Sequence, residues 1–112
     1  MKILLSLLLI ILCILMQKSV FSIEKFTIEL EMKNGDLIPS VLKVPSKTII
    51  RIKITNTGTQ PSEFESTQLR KEKVLAPGAN SILVIAPLKP GTYTFFDDFH
   101  ISSTKGKIIA IK

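Results

Sequence analysis

The chain has 112 residues, 46% of them hydrophobic, and a formal net charge of +6 from 15 basic and nine acidic side chains. This length leaves room for one small domain and excludes a second. The lysines are scattered and the aromatic residues are not interleaved with arginine, which argues against nucleic acid as a partner. A basic exported domain instead suits an anionic membrane surface or an acidic partner.

The N-terminal segment predicts export. Lys2 gives a positive start, residues 3–16 are almost entirely apolar, and small or branched residues precede a cleavage position after Ser22. This order is typical of a secretory signal peptide over residues 1–22. The apolar run of about 14 residues is short for a bilayer-spanning helix, which needs roughly 20. We therefore predict a periplasmic or otherwise exported domain over residues 23–112, with an uncleaved membrane anchor as the alternative.

The single cysteine, Cys13, lies inside the predicted signal peptide. The exported domain would therefore contain no thiol group. A disulfide cannot staple such a domain, and a thiolate cannot bind a metal ion in it. Any metal site has to be built from imidazole nitrogen and from oxygen ligands.

The remaining sequence predicts β-strands, because apolar and polar residues alternate in KFTIELEM (25–32) and in TIIRIKITN (48–56). SILVIAPL (81–88) and TYTFF (92–96) have apolar residues on both faces, so we expect them to be central strands. PSEFESTQLRKEKV (61–74) is polar and poorly periodic, which predicts a loop or a short helix beside the sheet. With turns about every ten residues, the pattern predicts an all-β sandwich of six or seven short strands, antiparallel or Greek-key.

Sequence motifs of enzymes are absent. The chain has no glycine-rich phosphate loop, no metalloprotease helix motif and no nucleophile elbow. His100 is the only histidine, and no serine lies in a strained turn that would activate it as a nucleophile. We therefore assign no catalytic residue.

Two polar clusters can carry chemistry. Glu63 and Glu65 lie two positions apart, so strand alternation directs both carboxylates the same way, and Asp97, Asp98 and His100 follow the strand TYTFF. If the strands before these clusters are neighbours, both clusters reach the same end of the sandwich. Carboxylates with one imidazole form a hard site suited to Fe(III), Mn or Zn and tolerable for Cu(II). The alternative is a solvated acidic rim in which His100 is held by a hydrogen bond.

Four stretches resemble the EfeO-type cupredoxin-like domain family: NTGTQPSEFES (56–66), LRKEKVLAPG (69–78), LKPGTYTFFDDFH (88–100) and TKGKIIAIK (104–112). The resemblance covers the chain from about residue 26 to its end. Members are exported Greek-key β-sandwiches that often serve bacterial iron uptake beside an inner-membrane iron permease. The resemblance thus implies a single cupredoxin-like domain, a bound transition-metal ion (iron or copper), and such a permease as partner.

The chain departs from the type 1 copper proteins of this fold. Their copper is bound by a histidine, a cysteine, a second histidine and usually a methionine. Here Ser62 stands at the first histidine position, Asp97 stands at the cysteine position, and His100 matches the second histidine. The methionine region offers only Thr104 or Lys105. Blue copper requires a thiolate, so we exclude type 1 copper and electron transfer through it.

Two hypotheses follow. In the first, the domain binds a metal ion through Glu63, Glu65, Asp97, Asp98 and His100, as an accessory of iron or other transition-metal uptake. In the second, it is a metal-free interaction module that docks on a membrane complex. Convergence of the five side chains would favour the first hypothesis. The aromatic residues Phe64, Tyr93, Phe95 and Phe99 are expected to pack in the core.

Overall fold

The structure, a computed structural model, describes residues 24–112. The predicted signal peptide and its cysteine therefore lie outside the described residues. Across residues 24–112, no helix has the length and apolar character needed to cross a membrane.

The described part of the chain folds into nine strands that form two sheets. In chain order they are β1 (Lys25–Lys33), β2 (Asp36–Ile38), β3 (Val41–Pro45), β4 (Ile49–Asn56), β5 (Ser62–Ser66), β6 (Lys71–Leu75), β7 (Asn80–Ile85), β8 (Gly91–Asp97) and β9 (Gly106–Ile111), with one turn of 3₁₀-helix at Asp98–His100. One sheet has the order β2-β1-β4-β7 and the other β3-β9-β8-β5-β6. The pairs β1–β4 and β3–β9 are parallel, and the other pairs are antiparallel. The prediction of an all-β sandwich is confirmed, whereas the predicted number of six or seven strands is too low.

The core lies between the two sheets, because alternate residues of each strand point inward. Phe64 and Phe95 are fully buried at its centre, with ring centroids 5.0 Å apart and planes inclined by 20°. Burying one such side chain stabilises the fold by roughly 1.5–3 kcal/mol. Tyr93 packs partly buried against this core. Phe99 is 48% exposed, so its predicted core position is wrong: it lies on the 3₁₀ turn, where the strand's inward alternation has ended.

Residues 61–74 form a β-hairpin made of β5 and β6, not a loop or a helix. Burial alternates along β5, but two of its three inward residues are Ser62 and Ser66, so the hydropathy pattern hides the strand. In β6, the edge strand, three of the five residues are exposed. The hairpin turn ends at Arg70, which adopts a left-handed backbone conformation with φ 55°.

The expectation of central strands is right for β8 and wrong for β7. Strand β8 lies between β9 and β5, whereas β7 is at the edge of its sheet. Ile82 and Val84 of β7 point outward and are 45% and 49% exposed. Apolar residues on both faces of a strand therefore do not require burial on both faces.

Candidate functional site

Asp97, the last residue of β8, is a buried carboxylate whose two oxygens are both engaged. Its Oδ1 accepts hydrogen bonds from the backbone N–H of Glu63 at 2.9 Å and of Phe99 at 3.1 Å. Its Oδ2 lies 2.9 Å from Nδ1 of His100. Only 2% of Asp97 is exposed, and buried ionised groups need this degree of hydrogen bonding. Asp97 thus joins β5, the 3₁₀ turn and the imidazole.

Both ring nitrogens of His100 have partners within the protein. Nδ1 faces Asp97, and Nε2 lies 2.8 Å from Oε1 of Gln60, 40 residues earlier in the chain. A metal ion can reach either nitrogen only if one of these contacts opens. Sequence analysis did not identify Gln60, because only the folded positions of two separate loops bring it to the imidazole.

The loop that carries Gln60 is held by two asparagines. Oδ1 of Asn34 accepts hydrogen bonds from the backbone N–H of Thr59 at 2.9 Å and of Gln60 at 3.1 Å. Asn56 is fully buried, and its Nδ2 donates to the carbonyl oxygens of Gln60 at 2.9 Å and of Leu75 at 3.0 Å. The position of Gln60 over His100 is therefore built into the fold.

The loop beside His100 also packs closely against Gly35. This glycine has φ +95°, and a Cβ there would overlap the hydroxyl of Ser103 and lie 3.0 Å from Cβ of His100. Only a glycine fits both the backbone conformation and the space. The three loops at this end of the sandwich therefore form one packed unit.

Ser62 lies on the inward face of β5 and is fully buried. Its Oγ is the only buried side-chain polar atom among residues 24–112 without a hydrogen-bond partner. With a hydroxyl here, a fully engaged carboxylate at Asp97 and no thiolate, these residues do not fit a type 1 copper ion. The exclusion of blue copper made from the sequence agrees with this geometry.

A second group of carboxylates lies on the outer surface of the same sheet. Glu63 and Glu65 point outward from β5, and Glu72 of β6 is directly opposite Glu65 in the strand register. One carboxylate oxygen from each of these three residues lies within 4.8 Å of the others. With Asp98, they form what we call the acidic face. Sequence analysis missed Glu72 because it did not predict the hairpin.

The surroundings on the acidic face raise the pKa of two of its acids. Partial desolvation, followed by the negative charge of Asp98 and then of Glu72, raises the pKa of Glu63. The pKa of Glu65 is also raised, by desolvation and then by the charges of Asp98 and Glu63. A hydrogen bond with the Asp98 carboxyl adds to the shift at Glu65. These acids therefore repel one another, and a cation between them would relieve the repulsion.

The five predicted ligands thus divide into two groups. Strands β5 and β8 are neighbours, as a common site requires, with Phe64 opposite Asp97. The structure brings Glu63 and Glu65 together on the acidic face, where the charge of Asp98 acts on both. Asp97 and His100 instead bond to each other within the packed loops. The two groups are linked by the hydrogen bond from the backbone N–H of Glu63 to Asp97 Oδ1. Metal binding by the five residues stays a prediction.

Comparisons with known proteins agree with the architecture. The family described as "Cupredoxin-like domain" matches residues 5–110. An uncharacterized protein of Rickettsia prowazekii (strain Madrid E) is 38% identical over 82 residues. These are 73% of this chain and 66% of that protein, so the chain spans just under two thirds of this relative's length.

Solved structures share the same fold. The metal-binding domain of the Cu(I)-exporting P-type ATPase CopA of Streptococcus pneumoniae D39, solved with Cu(I), gives a TM-score of 0.70 at 10% identity, over 83% of this chain and 92% of that chain. The purple cupredoxin of Nitrosopumilus maritimus gives 0.60 at 19% identity, over 74% of this chain and 98% of that chain. At these identities the likeness establishes the fold and leaves the site to be argued from its own residues.

Proposed function

Because the chain belongs to the cupredoxin-like domain family, we propose that it is an exported metal-binding protein, an accessory of bacterial iron uptake or of the uptake of another transition metal. In this proposal it works in the periplasm beside an inner-membrane iron permease. The predicted signal peptide and the resemblance to the EfeO-type members support this placement. The proposal contains no enzymatic step.

The observation that carries the proposal is the acidic face. Three carboxylate oxygens, one each from Glu63, Glu65 and Glu72, lie within 4.8 Å of one another. Asp98 is not one of these three ligands, but its negative charge acts on Glu65 and adds to the attraction for a cation. An all-oxygen set of this kind suits hard cations such as Fe(III) or Mn(II) better than Cu(I), which prefers sulfur. We propose that these residues bind the ion.

Asp97 and His100 support this site in the proposal. The Asp97 carboxylate holds the backbone N–H of Glu63 and so fixes the strand that carries two ligands. Direct ligation by Oδ2 of Asp97 or by Nδ1 of His100 would require the contact between these two atoms to open, whereas ligation by Nε2 of His100 would require its contact with Gln60 to open. An exposed site whose strand is fixed by a buried hydrogen bond suits a carrier, because a carrier has to release its ion as well as bind it.

Calorimetric titration with Mn(II), Zn(II), Cu(II) and chelate-buffered Fe(III) tests the proposal. We expect micromolar or tighter binding of at least one hard cation by the wild type. A Glu65→Gln/Glu72→Gln variant should lose that binding. The matched control is Glu29→Gln/Asp36→Asn, which removes two exposed acids from the other sheet and should bind like the wild type. Absence of binding by the folded wild type would overturn the proposal.

The second candidate function is a metal-free interaction module that docks on a membrane complex. It is favoured by one observation: Asp97 and both nitrogens of His100 have protein partners, so this loop is complete without an ion. On this hypothesis the wild type binds no cation in the titration. Asp97→Ala would then weaken docking by loosening the loops, and Glu65→Gln/Glu72→Gln would not change it.

A further inference from the structure

Four segments of the chain meet at the end of the sandwich opposite the His100 loops. Residues 24–25 begin β1, residues 46–48 connect β3 to β4, residues 86–90 connect β7 to β8, and residue 112 follows β9. Backbone hydrogen bonds join these segments: Ile49 N–H to Glu24 O at 3.1 Å, Lys47 N–H to Leu88 O at 2.9 Å, and Ser46 N–H to Ile111 O at 2.7 Å. Their relative positions are therefore fixed by the sheets.

Each of these segments carries an exposed lysine: Lys25, Lys47, Lys89 and Lys112. We call this group the lysine end. None of its four ammonium groups forms an ion pair with a residue in the described range 24–112. Glu24 is the only acidic side chain on these segments. The lysine end thus carries four lysines and one glutamate, a local excess of positive charge.

Apolar surface lies among these lysines. Ile111 is 50% exposed, and Ala86 and Pro87 are exposed in the connection between β7 and β8. Lysines with apolar side chains between them suit the headgroup region of a bilayer, where the ammonium group meets phosphate and the hydrocarbon stem meets lipid. The four lysine ammonium groups lie on flexible side chains of separate segments. They suit a diffuse anionic surface such as a bilayer, because binding to it requires no shape complementarity.

The carboxylates of the acidic face favour one orientation on such a surface, although Lys71 and Lys73 of β6 lie beside them. The acidic face lies around the ends of β5 and β8 near His100, away from the lysine end. An anionic surface attracts one region and repels the other. The described chain enters the sandwich at the lysine end, so on the alternative of an uncleaved membrane anchor the apolar residues 3–16 would lead into this end.

We propose that the lysine end binds the surface of an anionic lipid bilayer and holds the acidic face away from the lipid. The lysine ammonium groups pair with the phosphates of anionic phospholipids. Each lysine close to such a surface strengthens binding roughly fivefold at low salt, and salt weakens the effect. This inference is independent of metal binding, so failure of one proposal leaves the other standing.

The test measures partition of the full chain into vesicles of phosphatidylcholine alone and of phosphatidylcholine with about one third phosphatidylglycerol. The readout is the ratio of the two partition coefficients, since the N-terminal apolar segment contributes to both. We expect a ratio of about ten or more for the wild type at low salt. It should fall to near one in Lys25→Gln/Lys47→Asn/Lys89→Gln/Lys112→Gln. Asparagine is chosen at Lys47 because φ is 58° there.

The matched control, Lys33→Gln/Lys43→Gln/Lys105→Gln/Lys107→Gln, removes the same charge from exposed positions elsewhere and should keep the wild-type ratio. Equal loss in both variants would overturn the proposal. A wild type that does not distinguish the vesicles would also overturn it, in favour of an acidic protein as the ligand of this end.

The orientation has its own reporter, because Tyr93 is the only tyrosine and the chain has no tryptophan. The Tyr93 hydroxyl donates to the carbonyl oxygen of Lys89 at 2.7 Å, which places it at the lysine end. We expect lipids with a spin label in the headgroup to quench its fluorescence in the bound wild type. Bound protein with unquenched Tyr93 would show that another surface meets the membrane and would overturn the proposal.

Discussion

Asp97 and Glu63 are carboxylic acids joined by one hydrogen bond, yet their side chains lie in opposite environments. Asp97 is 2% exposed and accepts bonds from two backbone N–H groups and faces an imidazole nitrogen. The Glu63 side chain lies on the outer surface, where partial desolvation and then the charges of neighbouring acids raise its pKa. The difference shows that burial and hydrogen-bond partners, and not residue type, decide whether a carboxylate stabilises the fold or is available to bind a ligand.

The largest expected effect comes from removing the buried acid. Asp97→Ala leaves two backbone N–H groups and the His100 ring without their acceptor, so we expect a loss of unfolding free energy of about 3 kcal/mol or more. Urea denaturation measures it. Asp98→Ala, one residue later on the acidic face, should change stability little, because it removes a repelling charge. Similar losses in the two variants would contradict the comparison.

A smaller effect is expected where the loops pack. Gly35→Ala introduces a Cβ at φ +95° against Ser103 and His100, and we expect it to cost about 2 kcal/mol. Gly78→Ala is the control: its φ is +80°, but no atom lies within 4 Å of the added Cβ. The difference between the two urea midpoints isolates packing from backbone strain. Equal midpoints would mean that the loops accommodate the methyl group.

The smallest effect is expected at Glu65, on the exposed acidic face. A raised carboxyl pKa means that the folded state binds protons more tightly than the unfolded state. Glu65 therefore contributes stability below its ordinary pKa of about 4.5 and loses that contribution as pH rises through the higher folded value.

We accordingly expect Glu65→Gln to raise the thermal midpoint at pH about 7, where repulsion is present, and to leave it nearly unchanged at pH about 3.5. Glu29→Gln, on the other sheet and away from these acids, is the matched control. A midpoint for Glu65→Gln that falls at neutral pH would show that the acidic face does not repel itself.

Alternation predicted the parts of the fold where apolar residues mark every second position. At β5 it correctly indicated that Glu63 and Glu65 point the same way with Phe64 facing the core, although residues 61–74 were predicted as a loop or short helix. It failed where inward positions are polar, as at Ser62 and Ser66, because a buried hydroxyl looks like a loop residue in hydropathy.

The site was predictable only in part. Proximity of the two acidic clusters followed from neighbouring strands, whereas the contact between Gln60 and His100 depends on two loop conformations that no periodic pattern specifies. The role of Glu72 depends on hairpin register, which a polar sequence does not reveal.

The central place of β9 has a consequence for how the chain folds. This strand pairs in parallel with β3, more than 60 residues earlier, and separates β3 from β8 within the sheet. Because synthesis proceeds from the N-terminus, β3 emerges long before β9, its only partner in the sheet, whereas β8 precedes β9 by a short connection. Pairing across such sequence separation makes folding slow. The order of the strands therefore leaves β3 without its partner for most of synthesis, when its open edge depends on protection from other strands.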